Sequence, residues 1–256
     1  HSVTLDMGDM GKVAFDQGTG AFGIGTIDDK TPTAYEEIWN GTSQTNGDIL
    51  DGSGGATGVF GYKNTVMGMN LNVEYAPSVA SADAGDGAVG GVVTQPDGTS
   101  LNFAITNNTM VEGLDFGVGY GETSYDLPST NVATGDTEST VGYANYSFGP
   151  VTIGTTQSYT SGSVNASGVN IGANEVAIYG VAFNVNDNLS VSYNDYENKY
   201  LKRGSQGDVT QDMDGVQIAY TVGGATLRIS DASVDNAGGT TNNSEDRTEV
   251  SLLMAF

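Results

Sequence analysis

Four carboxylates are close together in one polar segment of this chain, at Asp28, Asp29, Glu36 and Glu37. Carboxylate and carbonyl oxygens are the ligands that hard cations prefer, so Asp28 and Asp29 are candidate calcium ligands. Glu36 and Glu37 carry groups that can exchange protons, but adjacent side chains need not converge on one substrate. None of these spacings defines a metal site or an acid–base pair by itself.

Other catalytic chemistry has little support in the sequence. The only histidine is His1, and the chain has no cysteine. A Ser–His–Asp site is therefore improbable, and thiolate metal sites are excluded. No phosphate-binding loop and no zinc motif occurs. The sequence therefore predicts a protein that is not an enzyme and that needs no cofactor other than the candidate calcium.

Composition limits the partners and the fold class. The chain has 31 acidic and 8 basic residues and a formal net charge of −23, so it lacks the basic surface that nucleic acid requires. Glycine contributes 38 of the 256 residues, which is typical of turn-rich β proteins. No apolar run is long enough for a transmembrane helix. A membrane β-barrel remains open, because only every second residue of a strand then contacts lipid.

The stretch from Gly58 to Pro77 shows which elements position the polar side chains. Its second half alternates strictly, with an apolar series opposed by Asn70, Asn72 and Glu74. This period of two predicts a strand with one apolar and one polar face. The amides and the carboxylate would make a poor core but a good wall for water.

The same alternation recurs along the chain and predicts about 13 strands in an all-β fold. Short turns and long polar loops alternate between these strands. That order is typical of a transmembrane antiparallel up-and-down β-barrel with a polar lumen. The predicted pore-lining residues are Asn70, Asn72, Glu74, Asn102 and Asp115.

Residues 17–56 break the pattern, and this segment contains the four carboxylates and the only tryptophan, Trp39. An irregular segment of this length in a compact domain is usually functional. We expect a short helical turn at Tyr35–Trp39.

Several motifs resemble the general bacterial porins, especially those of alphaproteobacteria. GYKNTVMGMNLNVEYAP is similar to the family's hairpin of tyrosine, short turn and alternating strand, and VEGLDFGVGYGE is similar to its G-L strand. YANYSFGPVTIG resembles its Y-x-F-G turn, and SLLMAF ends in the phenylalanine by which outer-membrane proteins are recognised for insertion. These motifs are in register over nearly the whole chain.

The resemblance implies that residues 17–56 correspond to the family's third loop, which folds into the barrel and narrows the pore. Acids of this loop then face basic residues across the pore. The expected constriction residues are Asp28, Asp29, Glu36, Glu37 and Asp48 on the loop and Lys12, Lys63 and Arg228 on the wall. We expect Trp39 to anchor the loop to the wall.

The family's third loop follows its fifth strand, whereas only two predicted strands precede residue 17 here. An antiparallel barrel also normally has an even number of strands. We therefore expect residues 1–256 to form a single porin domain that lacks about three N-terminal strands of a 16-stranded barrel, a size that leaves an aqueous channel.

The expected function is passive diffusion of small hydrophilic solutes and ions, with a preference for cations. The resemblance implies a homotrimer that crosses the outer membrane of a Gram-negative bacterium many times, in contact with lipid and lipopolysaccharide. The alternative from another class is a secreted or surface-exposed, adhesin-like structural β protein, which the acidic, glycine-rich composition would also fit.

Overall fold

The computed structural model describes residues 2–16, 22–40, 42, 58–77, 97–126, 137–161, 171–202 and 207–254. These residues form one antiparallel sheet, and its strand order follows the order of the sequence. The 13 strands are β1 (Ser2–Asp6), β2 (Lys12–Asp16), β3 (Val59–Val66), β4 (Met69–Ala76), β5 (Asp97–Asn107), β6 (Leu114–Asp126), β7 (Thr137–Phe148), β8 (Val151–Ser161), β9 (Ile171–Asn186), β10 (Leu189–Lys202), β11 (Val209–Val222), β12 (Ala225–Asp235) and β13 (Glu245–Met254). The predicted all-β, up-and-down fold is confirmed. Between the described residues of β1 and β13 there is no ladder, so these are the edge strands of the sheet.

The connections alternate in length as the sequence predicts. Those at one end have two to six residues, and those at the other have six to 42. In the turn after β3, Met67 and Gly68 both have positive φ angles, of 54° and 81°. This conformation matches the twist of a two-residue hairpin, so the strands on either side stay paired.

At the ends that lead into the long connections, the paired strands continue past the residues in which apolar and polar side chains alternate. The ladder between β10 and β11 continues to the pair Tyr200–Val209, through positions that the sequence pattern assigns to a loop. Charged side chains such as Glu197 and Asp212 occupy the outward positions of this extension. The pairing persists there because backbone hydrogen bonds do not need apolar side chains.

The two faces of the sheet have opposite character. Large apolar side chains are exposed on one face, as at Leu101 (55%) and Val250 (65%). Amide side chains are buried on the other, as at Asn102 (0%) and Gln217 (1%). This distribution is the reverse of that in a soluble domain, where apolar side chains are the buried ones. We call the amide-bearing face the inner face and the apolar one the outer face.

Helical structure is limited to three short 3-10 turns in the described residues, at Gly8–Met10, Gly23–Ile27 and Ala237–Gly239. None of the described helical segments has the length and apolar character needed to span a membrane. The expected helical turn at Tyr35–Trp39 is replaced by a tight turn, in which Asn40 N–H donates to Glu37 O at 3.1 Å. Just before this segment, the Ala34 N–H donates to Ser192 Oγ on β10 at 2.9 Å, so the strap is held to the wall there.

Candidate functional site

Residues 22–40 cross the inner face of the sheet from β3 to β12, and we call this segment the strap. At β3, the ammonium of Lys63 lies 4.7 Å from the ring centroid of Phe22. At β12, the guanidinium carbon of Arg228 lies 5.1 Å from the ring centroid of Tyr35. The strap therefore runs across the strands rather than along them.

Hydrogen bonds from wall side chains hold the strap between these two ends. At β5, the Ile24 N–H donates to Asn102 Oδ1 at 2.8 Å. Four further bonds join its middle to β7, β8 and β10: Asn145 Nδ2 to Lys30 O (2.6 Å), Thr31 Oγ1 to Thr156 Oγ1 (2.9 Å), Asn194 Nδ2 to Pro32 O (3.0 Å) and Ala34 N to Ser192 Oγ (2.9 Å). Polar wall residues thus satisfy backbone groups that have no partner within the strap.

Two apolar contacts anchor the strap to the wall. Ile24 and Ile27 are fully buried in the first anchor, which also contains Ala104, Val141 and Tyr143. Ile38 is 1% exposed at the centre of the second anchor, whose other members are Val176, Ile178, Tyr196, Met213, Ala232, Val234 and Ala237. Trp39 packs against the second anchor, with its ring centroid 5.4 Å from that of Tyr196. The prediction that Trp39 is a packing anchor is confirmed.

Glycines on the inner face make room for these anchors. A Cβ atom at Gly119 would lie 2.8 Å from Ile27 Cδ1, and one at Gly215 would lie 2.9 Å from Ile38 Cγ2. Both distances are shorter than ordinary carbon contacts. The strap can therefore approach the wall this closely only where a side chain is missing.

The four predicted carboxylates of the strap influence one another. Burial, together with the charges of Asp28 and Glu36, raises the pKa of Asp29 to about 6. Burial likewise raises the pKa of Glu37 to about 8, together with a hydrogen bond that Glu37 donates to Glu36 and the charge of Asp29. The structure therefore brings Asp28, Asp29, Glu36 and Glu37 into one acidic cluster on the strap.

The geometry does not support Asp28 and Asp29 as a calcium site. In the ranges that the structure describes, no group of three or more His, Cys, Asp or Glu side chains is arranged to hold a metal ion. Asp28 instead acts on its neighbour through its charge, which contributes to the raised pKa of Asp29. The fifth loop acid, Asp48, lies outside the described residues.

The three predicted basic residues have different surroundings. Lys12 and Lys63 are register partners on β2 and β3. Lys12 forms an exposed 3.2 Å ion pair with Asp6, while Lys63 contacts Phe22. Arg228 lies over the ring of Tyr35, the neighbour of Glu36, and its Nε is buried without a hydrogen-bond partner. The structure thus places Arg228, rather than Lys12 or Lys63, in contact with Tyr35, the strap residue that precedes Glu36.

The predicted pore-lining residues all lie on inner-face positions. Asn102 Nδ2 donates to Glu74 Oε1 at 3.1 Å, next to the first anchor. On β6, Asp115 accepts a 2.9 Å hydrogen bond from the hydroxyl of Tyr143. Asn70 and Asn72 occupy the phase of β4 that Glu74 shares, nearer to the short turn.

Sequence reasoning missed the apolar residues of the inner face that receive the strap. The signal was present in β9, where Val176 and Ile178 occupy the inward phase while Tyr179 and Val181 occupy the outward phase. A strand of this barrel type that is apolar in both phases needs an apolar contact on each face. In this fold the strap supplies the inner contact through Ile38.

No family model and no curated protein matches the chain. Solved structures do match over nearly its whole length. An anion-selective porin from Comamonas acidovorans matches with a TM-score of 0.64 and 14% identity, over 100% of this chain and 77% of that chain. Another solved porin matches with a TM-score of 0.62 and 16% identity, over 96% of this chain and 79% of that chain.

The outer-membrane expressed OmpT of Vibrio cholerae matches with a TM-score of 0.60 and 11% identity, over 98% of this chain and 77% of that chain. A trimer form of the same protein, folded in vitro, matches with a TM-score of 0.53 and 12% identity, over 95% of this chain and 75% of that chain. At these identities the likeness concerns the fold, and it agrees with the resemblance found in the sequence motifs. The chain has the fold of the outer-membrane porins.

Proposed function

We propose that the chain forms a water-filled channel in the outer membrane of a Gram-negative bacterium, through which small hydrophilic solutes and ions diffuse passively. One observation carries this proposal: the exposed face of the sheet is apolar, while the buried face is polar and carries the strap. A lipid-facing wall around an aqueous lumen requires this reversed distribution. The likeness to porin structures supports it.

The strap narrows the channel in this proposal, as the third loop does in the family that the sequence resembles. Its carboxylates would favour the passage of cations, because a ring or row of acids attracts the counter-charge at the narrowest section. Arg228 lies at the same level, over the Tyr35 ring, and moderates this preference. Selectivity therefore depends on the balance between the acidic cluster and the cations beside it, Arg228 on the wall and Lys30 on the strap.

The assembly that we propose is a homotrimer in contact with membrane lipid and lipopolysaccharide. The trimer form of the Vibrio cholerae OmpT, a protein of this fold, supports the trimeric part of this proposal. No catalytic step belongs to the proposed function.

Conductance across a planar lipid bilayer tests the channel, and the reversal potential in a salt gradient tests the selectivity. We expect stepwise conductance increments and a reversal potential of the sign that cation preference gives. Absence of conductance would refute the channel, and anion preference would refute the role of the strap acids. A protein that stays soluble without detergent would favour the surface β protein instead.

A further inference from the structure

Methionine is concentrated at the first three short turns of the sheet. Five of the seven methionines lie there: Met7 and Met10 between β1 and β2, Met67 and Met69 where β3 turns into β4, and Met110 between β5 and β6. In the described residues, neither anchor of the strap includes any of these five. The chain also has no cysteine, so thioethers are its only soft metal ligands.

Three of these methionines are in contact with solvent. Met67 is 95% exposed, and Met10 and Met110 are exposed as well. A methionine side chain usually fills space in a core, where its apolar surface is removed from water. Exposed thioethers on neighbouring turns stabilise no core, so packing does not explain them.

The backbone of Met67 provides a second observation. Its φ angle is 54°, in the left-handed region that residues other than glycine, asparagine and aspartate adopt only rarely. Asn-Gly or Asp-Gly is the usual sequence of a two-residue hairpin turn, because both positions need a positive φ angle. Here a methionine occupies this strained and exposed position, which points to a role for its side chain.

The first turn is fastened to the strand that leads into Met67. The hydroxyl of Tyr62 on β3 donates to Met10 O at 2.9 Å. The turn is closed by the Met7 N–H, which donates to Gly11 O at 2.9 Å. The backbone of Met10 is therefore fixed beside β3, while its side chain stays exposed.

Asn107 joins the second turn to the third. This residue is buried, and its Nδ2 donates to the carbonyl oxygen of Gly68, which follows Met67. Its Oδ1 accepts hydrogen bonds from the backbone N–H groups of Thr109 and Met110, at 3.0 and 2.8 Å. One amide thus holds both turns, so Met67 and Met110 lie on adjoining turns. Met67 belongs to the middle turn of the three.

We propose that Met10, Met67 and Met110 bind a soft monovalent metal ion of the copper(I) class at this rim of short turns. Thioether sulfur selects such ions, whereas hard cations prefer oxygen ligands. The unbranched methionine side chain has three rotatable bonds, so side chains on adjoining turns can converge on one ion.

The location of the rim suits thioether ligands. Short turns of outer-membrane barrels face the periplasm, which is an oxidising compartment. A thiol there can be lost to a disulfide, whereas a thioether cannot form one. The site goes beyond the proposed function, because metal binding at the rim does not require that the channel conducts.

Silver(I) tests the site directly, because it is as soft as copper(I) and does not change its oxidation state during a titration. The purified protein carries ¹³C-labelled methionine methyl groups, and His1→Ala removes the only imidazole. We expect the methyl signals of Met10, Met67 and Met110 to shift together and to saturate at about one silver ion per chain. The signal of Met254, an exposed methionine on β13, should stay unchanged at that ratio. Shifts that do not saturate, or a parallel shift of Met254, would overturn the proposal.

Leucine variants measure how much each thioether contributes. Leucine has a similar volume but no sulfur, so the exposed positions should accept it without loss of stability. We expect Met67→Leu and Met110→Leu each to weaken silver binding by about tenfold or more, and the matched control Met254→Leu to leave it unchanged. Equal silver affinity of Met67→Leu and the unmodified protein would contradict the site. A response to calcium as large as that to silver would contradict the role of the thioethers.

Discussion

The backbone N–H of Ile24 donates a 2.8 Å hydrogen bond to Oδ1 of Asn102, and both residues are completely buried. This bond joins the strap to β5, in the middle of the first anchor. Asn102 also donates to Glu74 Oε1 at 3.1 Å, so its amide links two wall strands to the strap. The sequence predicts that Asn102 faces water, whereas in the structure it is buried and holds the strap to β5 by a hydrogen bond.

Replacing Asn102 by alanine should loosen the strap. The Ile24 N–H would lose its acceptor while remaining buried, which costs about 1–3 kcal/mol. We expect a larger and noisier single-channel conductance and a lower temperature of unfolding. The control is Asn70→Ala, since the Asn70 amide accepts a hydrogen bond from Thr65 on the neighbouring strand and is not a contact of the strap. Unchanged conductance and stability in Asn102→Ala would contradict the fastening role.

Truncating Ile38 should release the other end of the strap. Its side chain is 1% exposed between β9 and β12, and removing such a buried side chain costs about 2–5 kcal/mol. We expect Ile38→Ala to speed hydrogen exchange at the backbone N–H of Ala34 far more than in the strands. Val250→Ala removes an apolar side chain that is 65% exposed on the outer face and should not change strap exchange. Uniformly faster exchange throughout the sheet would mean that Ile38 supports the whole fold and not the strap.

The charge of the strap should depend on pH between about 6 and 8. Burial raises the pKa of Asp29 to about 6 and that of Glu37 to about 8, so both groups gain protons as the pH falls through this window. The channel should then lose cation preference, which a reversal potential measured from pH 9 to pH 5 would show. We expect Glu37→Gln to remove the upper part of this change and Asp29→Asn the lower part. A control change at the exposed turn residue Glu112, to Gln, should leave the profile as it was.

The same raised pKa values predict the direction of a stability change. The folded state binds more protons than the unfolded state between the ordinary carboxyl pKa and the raised ones, so the contribution of Asp29 and Glu37 to stability decreases as the pH rises. Most of this loss should occur between about pH 4 and pH 8 and stop above pH 8. Unfolding temperatures of Glu37→Gln should fall less across this range than those of the unmodified protein. If the unfolding temperatures of the two proteins fell equally with pH, the raised pKa of Glu37 would be contradicted.

Arg228 should oppose the acids of the strap. Its guanidinium carbon lies 5.1 Å from the Tyr35 ring centroid, a contact that contributes about 0.5–2 kcal/mol to the position of the strap. We expect Arg228→Leu to increase the preference for cations and Arg228→Lys to preserve the selectivity, because lysine keeps the charge. The reversal potential measures both. The same selectivity in Arg228→Leu would show that the guanidinium lies too far from the ion path to matter.

The residue pattern could predict which side chains share a face, because side-chain direction in a strand is a local property with a period of two. Asn72, Asn102 and Asp115 occupy the predicted face for this reason, and the alternation of short and long connections follows from the same reading. The predicted loop ends differ, as at β10 and β11, because pairing continues where the apolar pattern has stopped.

The contacts between the strap and the wall could not be predicted from the sequence. They join residues far apart in the chain, such as Lys30 with Asn145, 115 positions away, and Pro32 with Asn194, 162 positions away. No local periodicity encodes which wall residue receives which part of an irregular segment. The inward-facing glycines Gly119 and Gly215 mark the positions where Ile27 and Ile38 approach the wall. A glycine in the sequence indicates that space is available, but it does not identify the side chain that fills it.

By itself, then, the sequence determined the all-β class, the strand order and the opposite character of the two faces, all of which depend on neighbours along the chain. Only the tertiary structure decided that the strap lies across β3 to β12, that four carboxylates form one cluster, and that Arg228 rather than Lys12 or Lys63 contacts Tyr35 beside it. The physical reason is distance in sequence: burial, close packing and the resulting pKa shifts depend on which remote side chains the folded sheet brings together.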